Sequence, residues 1–456
     1  MCAHQARIIS YPKDKAVQNE QVSENNVQAD QDFLDTLSGD ASFLEKAKNR
    51  VNSCLSEIAL ARTDNNWHRI VDLFYPLEEK EPELVSLNLE TPVRAELAFA
   101  LSQAGSLEQS IHEYEKCVQG QPDNFFFIAG LAFVHYNLVY SAKNRERIIT
   151  AAQKARHIEE AHKHFVQAQK LRPEGVTNYY RQAMLYKNVQ NMDLKAAPLF
   201  RKAVENWEAY DESVKEKRHQ EFKNYVKSLY NLASCLLKQN RGKEALLCLE
   251  KCLDQDGQKD FVKPEHKYFA LGKCHLELNE PEEALKDLEY AATFTDPKNG
   301  DYIFELWARA LLNMGKPVKA LQVLQKIPEK FRRQFVRWTE GDCYAAMQDY
   351  LKAGDTWRKS LEKDRRSRHK GLIRLARMEF KLSNYSQCLK YADEANTFHI
   401  STYGNPDADG LFWSAAACIR LKDKQKAAEA LNELKAFKPE YPMLVRLIQI
   451  YEQSFG

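Results

Sequence analysis

Apolar and small residues recur at helical spacing along most of the chain, in a pattern that pairs one helix with the next. Eight times a core position is matched by another twelve residues later: Ile58/Ile70, Ala98/Ser110, Ala233/Ala245, Gly272/Ala284, Ala308/Ala320, Gly341/Ala353, Ala376/Cys388 and Ala415/Ala427. The second member is followed four and seven residues on by side chains of the same stripe, as in Leu288 and Ala291 after Ala284, or Tyr114 and Cys117 after Ser110. With 3.6 residues per turn, this predicts short antiparallel helices that approach closely where the side chains are small. Adjoining pairs begin 33 to 40 residues apart, a period that signals stacked hairpins.

Two stretches carry the pattern most clearly, RAELAFALSQAGSLEQSIHEYEKCVQGQP from Arg94 to Pro122 and YFALGKCHLELNEPEEALKDLEYAATFTDP from Tyr268 to Pro297. They resemble the tetratricopeptide repeat family, and the resemblance extends over roughly residues 50 to 440. It implies an all-α fold, a right-handed superhelical solenoid of about ten antiparallel helix-turn-helix repeats. Pro82, Pro122, Pro173, Pro297 and Pro439 are expected where a second helix ends. The Ile58/Ile70 unit lacks small residues and reads as an atypical first repeat, a cap.

The expected organisation is a disordered N-terminal arm over 1–44, a lobe of repeats over 45–206 with an extended third repeat, and an extended connecting helix over 207–225. A second array follows over 226–440, with a C-terminal capping helix over 441–456. The arm is rich in Gln, Asn, Asp, Ser and Glu, and reads either as a flexible tail or as a segment that folds onto a partner or into the groove. In the third repeat, Asn124 to Pro173, the rings of Phe125, Phe126, Phe127, Phe133, Tyr136 and Tyr140 either fill neighbouring interfaces or form an exposed docking patch. No stretch is read as a membrane span or signal sequence, and the expected location is the cytoplasm.

Composition narrows the classes of function. Apolar residues make up 44% and charged ones 29%, which suits a thin helical core with much wetted surface. A net charge of +2 gives no bulk argument for nucleic acid. The ten cysteines include no CxxC pair, and Cys117, Cys235, Cys252, Cys274 and Cys388 read as small buried hydrophobes. Cys248 and Cys252 lie four apart without a second pair of ligands, and HIEEAHKH (His157 to His164) matches no zinc-protease signature and reads as solvated helix surface. Gly-Lys pairs at 242, 272 and 315 lack the earlier glycine of a phosphate loop. No catalytic residue, metal ligand or cofactor is assigned, and an enzyme is the least favoured class.

One field feature remains. Between Phe331 and Arg374 the chain has twelve Lys or Arg against six Asp or Glu. In the family the first helix of each hairpin lines the concave surface, so the resemblance implies that Lys273, Arg309, Lys370, Arg374 and Arg377 share a groove, while Arg337, Arg365, Arg366 and Arg368 add to the basic concentration. Such a groove would favour an acidic peptide or helix. The carboxylate clamp of the chaperone-binding members is not carried over, because Tyr230, Ser234 and Phe269 stand where it needs Lys or Asn. Trp338 and Trp357 are expected in the core. The leading expectation is a non-enzymatic scaffold or adaptor for a protein segment. The alternatives are a regulatory or sensor subunit of an associated enzyme and a nucleic-acid-associated protein using the 331–374 patch; a small-molecule substrate is disfavoured.

Overall fold

The computed structural model describes residues 27–362 and 364–456, and no β-strand occurs among them. They form two compact units that adjoin in sequence between Cys235 and Leu236. The first contains α1 (Val27–Thr63), α2 (Trp67–Phe74), α3 (Leu77–Lys80), α4 (Pro82–Ser86), α5 (Thr91–Gln103), α6 (Leu107–Gly120), α7 (Phe125–Lys143), α8 (Ala151–Leu171), α9 (Thr177–Met184), α10 (Asp193–Glu208), α11 (Glu212–Lys217) and most of α12 (His219–Leu237). The second contains α13 (Gly242–Asp256), α14 (Pro264–Glu277), α15 (Pro281–Thr293), α16 (Asp301–Asn313), α17 (Pro317–Gln325), α18 (Gln334–Ala346), α19 (Tyr350–Leu361), α20 (Arg368–Lys381), α21 (Tyr385–Tyr403), α22 (Ala408–Leu421), α23 (Lys424–Phe437) and α24 (Leu444–Phe455). Consecutive helices pack on one another, α5 on α6 and α14 on α15 for example, so each unit is a stack of antiparallel hairpins.

Every member of the eight spaced pairs is buried. The closeness of approach is visible atom by atom. Ser110 Oγ donates to the Ala98 carbonyl at 2.6 Å, a bond possible only where the two backbones nearly touch. A Cβ added at Gly272 would stand 2.6 Å from Leu288 Cγ, and one at Gly341 would stand 2.3 Å from Trp357 Nε1. Glycine inside a helix costs about 1 kcal/mol relative to alanine, so these two are kept for the space they leave.

The turn inside each hairpin is built one way. Seven residues after the first member of each pair the backbone takes a left-handed φ, at Asn65, Gly105, Asn240, Asn279, Gly315, Gln348, Ser383 and Lys422. The next N–H then bonds back to a carbonyl five residues earlier, as in Ser106 to Leu101 (2.9 Å), Glu280 to His275 (2.8 Å) and Asp349 to Tyr344 (3.0 Å). This is a Schellman closure, which satisfies carbonyls orphaned at the end of the first helix.

Several sequence expectations are corrected. Residues 27–44 belong to α1, so the arm does not extend to 44; residues 1–26 lie outside the described residues. The segment 207–225 is no single extended helix. α10 stops at Glu208, Asp211 caps α11 by accepting from the Val214 N–H at 2.8 Å, and α12 starts at His219. The break is pinned by Tyr210, whose hydroxyl donates to the Glu174 carbonyl at 2.7 Å, and by Glu221, which accepts from the N–H groups of Val176 and Thr177 at the start of α9. Pro82 opens α4 instead of following a second helix. Finally, α7 is long and apolar enough to cross a membrane by length and composition, contrary to the expectation that no stretch is. Here its apolar residues are used on both sides, because α7 packs against α6 and α8 and buries Ile128, Leu131, Val134, Leu138 and Val139.

Candidate functional site

In the second unit the first helices of successive hairpins, α14, α16, α18 and α20, present side chains spaced three, four and seven apart, and these touch from one helix to the next. Phe269 of α14 meets Tyr302 of α16 edge-on at 4.8 Å, and Tyr302 Oη lies 3.1 Å from His266 Nδ1. Thr339 of α18 donates to Glu305 of α16 at 2.6 Å, and Arg309 lies 3.5 Å from the same carboxylate. Burial holds the Glu305 carboxyl above the usual carboxylate range, against the pull of Arg309. Arg374 of α20 grips Asp342 of α18 through Nε at 2.9 Å and Nη2 at 3.0 Å, while Lys370 and Arg374 both stand 5.5 Å from the ring centre of Trp338. The result is a row of mixed charge and aromatic surface, held in place by cross-helix bonds.

The basic concentration is largely neutralised. Arg332 pairs with Glu340, Arg333 with Asp301, Arg337 with Glu329, Arg368 with Glu394 and Arg374 with Asp342. Arg365 and Arg366 sit on the exposed connection between α19 and α20, off the row of first helices; the Arg366 carbonyl accepts from the Tyr403 hydroxyl. Exposed cations of these first helices with no acidic partner among the described residues include Lys273 on α14, and Lys370, Arg377 and Lys381 on α20. Of the nine residues singled out in the sequence, then, seven lie on first helices, and of these Arg309, Arg337, Arg368 and Arg374 are already engaged by acids. Trp357 is buried, with its indole N–H donated to the Trp338 carbonyl at 3.1 Å, and Trp338 is half-buried.

Two readings in the first unit also resolve. Of the six rings in the stretched hairpin only Phe126 is exposed. Phe133 stacks on Tyr136, Tyr136 on Tyr140, and the Arg181 guanidinium lies 3.7 Å from the Phe133 centroid. Burial pulls the pKa of Arg181 down to about 10. The histidines of HIEEAHKH are not solvated surface: His164 is buried, and His157 and His162 are partly so. His157 Nδ1 lies 2.9 Å from Nδ1 of His135 on α7, whose ring stacks on His164 at 6.2 Å. Burial first, then the neighbouring imidazoles, push the pKa of His135 down to about 3. Sequence reading missed this cluster because His135 lies 22 positions away, on the facing helix.

The cysteines behave as small core residues. Cys54, Cys117, Cys274, Cys343, Cys388 and Cys418 are buried, and burial raises the Cys117 and Cys388 thiols to about 12.

A tetratricopeptide repeat model matches residues 226–259, which span the C-terminal half of α12 and all of α13. The match places one tetratricopeptide repeat at that hairpin. Among solved structures, a tetratricopeptide repeat protein from Parabacteroides merdae is 14% identical with a TM-score of 0.45, covering 60% of this chain and 99% of that one. The Naa15/Naa10 complex bound to HypK-THB gives 13% identity and a TM-score of 0.44, over 88% of this chain and 69% of that one. YrrB, described as a tetratricopeptide-repeat protein with an unusual peptide-binding site, is 18% identical with a TM-score of 0.33, over 53% and 95%. No curated protein matches the sequence.

Proposed function

We propose that this protein is a non-enzymatic interaction scaffold of the cytoplasm that holds an acidic segment of a partner protein along the first-helix row of its second unit. The observation that carries the reading is the charge left over on that row. Lys273, Lys370 and Arg377 stay exposed without an acidic partner among the described residues, while their neighbours Arg309 and Arg374 are engaged by Glu305 and Asp342. The row is pre-organised by its cross-helix bonds, so a bound segment does not have to order the side chains that receive it. Phe269, Tyr302 and Trp338 lie partly open between the cations and would supply apolar contact.

Pairing of the arginines weighs against nucleic acid as the ligand, since an Arg already committed to a carboxylate releases fewer counterions from a phosphate backbone. The test is a charge reversal at Lys273→Glu, Lys370→Glu and Arg377→Glu, in full-length protein used as bait against lysate of the native host, with recovered partners compared by mass spectrometry. The scaffold reading expects one set of acidic-segment proteins to be lost from the triple variant and regained when the segments' own Asp and Glu are changed to Lys. Identical recovery by the two baits would defeat the reading. So would recovery of nucleic acid with a steep salt dependence in place of protein.

A further inference from the structure

Where α20 begins, α21 ends and α22 is capped, three side chains with metal-binding atoms converge. His369 comes from the first turn of α20, His399 from the last turns of α21, and Asp407 is the N-cap of α22. One nitrogen or oxygen of each lies within 4.8 Å of the others. A four-coordinate ion with bonds of about 2.0–2.1 Å separates its ligands by roughly 3.4 Å, so closure requires side-chain shifts on the order of 1 Å.

The protonation and hydrogen bonding of the three groups suit this role. His399 Nδ1 is 2.9 Å from the Asn405 carbonyl oxygen, to which it donates, and this leaves Nε2 with its lone pair. A ligand histidine whose second nitrogen donates to a backbone carbonyl is the usual arrangement around a bound metal. Asp407 uses one oxygen to accept from the N–H groups of Asp409 (2.9 Å) and Gly410 (3.1 Å), and its other oxygen makes no hydrogen bond among the described residues. The backbone N–H of Asp407 is in turn held by the Asn396 side chain at 2.8 Å. His369 supplies an independent pointer: its Nδ1 is buried with no hydrogen-bond partner. Its ring is wedged against Phe398, His399 and Tyr403, with centroids 6.1, 4.9 and 6.0 Å away, so it is not turned out to find one in solvent. An orphaned buried polar atom is unfavourable unless something satisfies it.

A cleft of about 380 Å³ opens beside the cluster, lined by His399 and Asp407 together with Pro406, Phe437, Lys438 and Glu440. It offers both an entry path and room for a fourth ligand. We propose that His369, His399 and Asp407 bind a divalent first-row transition-metal ion, of which Zn²⁺ is the probe, with the remaining coordination position facing this cleft. Two imidazoles and one carboxylate select against Mg²⁺ and Ca²⁺, which take oxygen ligands. The site ties together three helices of two successive hairpins, so occupancy closes the connection between α21 and α22 onto the start of α20. None of its three ligands belongs to the proposed partner-binding row, although His369 adjoins Lys370 of that row in sequence.

The experiment uses the full chain, stripped with a chelator and titrated with Zn²⁺ against a chromophoric competitor. The expected result is one site of affinity well above any other, weakened about tenfold or more by each of His369→Phe, His399→Gln and Asp407→Asn, and unchanged by His219→Gln on the exposed N-terminus of α12. His369→Phe keeps an aromatic ring among its neighbours, and Asp407→Asn keeps an oxygen to cap α22. Binding of Zn²⁺ by the wild-type chain no tighter than by these variants overturns the proposal. Should a variant fail to fold, the visible spectrum of the wild-type chain loaded with Co²⁺ decides. Bands of a four- or five-coordinate nitrogen–oxygen site support it, and the spectrum of the hexaaqua ion overturns it.

Discussion

The buried histidine cluster makes stability depend on pH in a direction and amount that follow from its geometry. His135 is 3% exposed and its pKa in the folded protein is pushed down to about 3, against the ordinary 6.5 that the unfolded chain retains. The unfolded state therefore takes up a proton that the folded state refuses. Stability from this group is fully present above pH 6.5 and falls as the pH drops from there toward 3, by about 1.4 kcal/mol per pH unit. Between pH 7.5 and pH 5 the loss comes to about 2 kcal/mol from His135 alone. His157, His162 and His164 are shifted in the same direction, chiefly by burial, and add to the slope. Urea unfolding at pH 7.5, 6 and 5, read by hydrogen exchange in peptides from α7 and α8, measures the effect where the cluster sits. His135→Gln, which can still hydrogen-bond to His157 but does not titrate, should flatten the slope by close to one proton. A wild-type unfolding midpoint that is constant across this range, or a variant whose slope equals the wild type's, would refute the reasoning.

Two further outcomes are expected of the hairpin contacts. Gly341→Ala places a Cβ 2.3 Å from Trp357 Nε1, and overpacking of about 1–3 kcal/mol should exceed the roughly 1 kcal/mol that alanine adds to helix propensity. Urea unfolding followed by circular dichroism should show a net loss, and a gain would mean that Trp357 yields freely. Conversely, Gln348 holds a left-handed φ of 63° that suits glycine, so Gln348→Gly should raise stability by about 0.5–1 kcal/mol in the same assay, and a loss would show that its side chain contributes something the backbone does not reveal.

The hairpin contacts were legible because helix approach leaves a mark on residue size at fixed spacing, and burial of both members of Gly272/Ala284 or Ala376/Cys388 follows from that mark alone. The stretched hairpin is different. Its facing small residues Ala132 and Ala161 are both fully buried, yet 29 positions separate them, because α7 and α8 are longer than their neighbours. The turn positions were in view but unread, since Asn65, Gly105, Gln348, Ser383 and Lys422 share a conformation and not a residue type. The basic region misled for a related reason. A count of charges within 331–374 cannot see Asp301 or Glu394, and the acids that neutralise Arg333 and Arg374 each lie 32 residues upstream. That separation is close to the repeat period, so pairing each cation with the acid one period before it would have uncovered both bonds.

The same period links further rungs: Cys274 to the Gly242 carbonyl across 32 residues, Thr339 to Glu305 across 34, and Arg62 to Glu96 across 34. Each hairpin thus finishes the polar chemistry of the one beside it. A local opening at α18 would strip Arg374 of its acid and Glu305 of its hydroxyl together, so damage at one rung is felt immediately on both flanks and fades beyond them, and the stack answers to injury as a chain of neighbours, not as a single block.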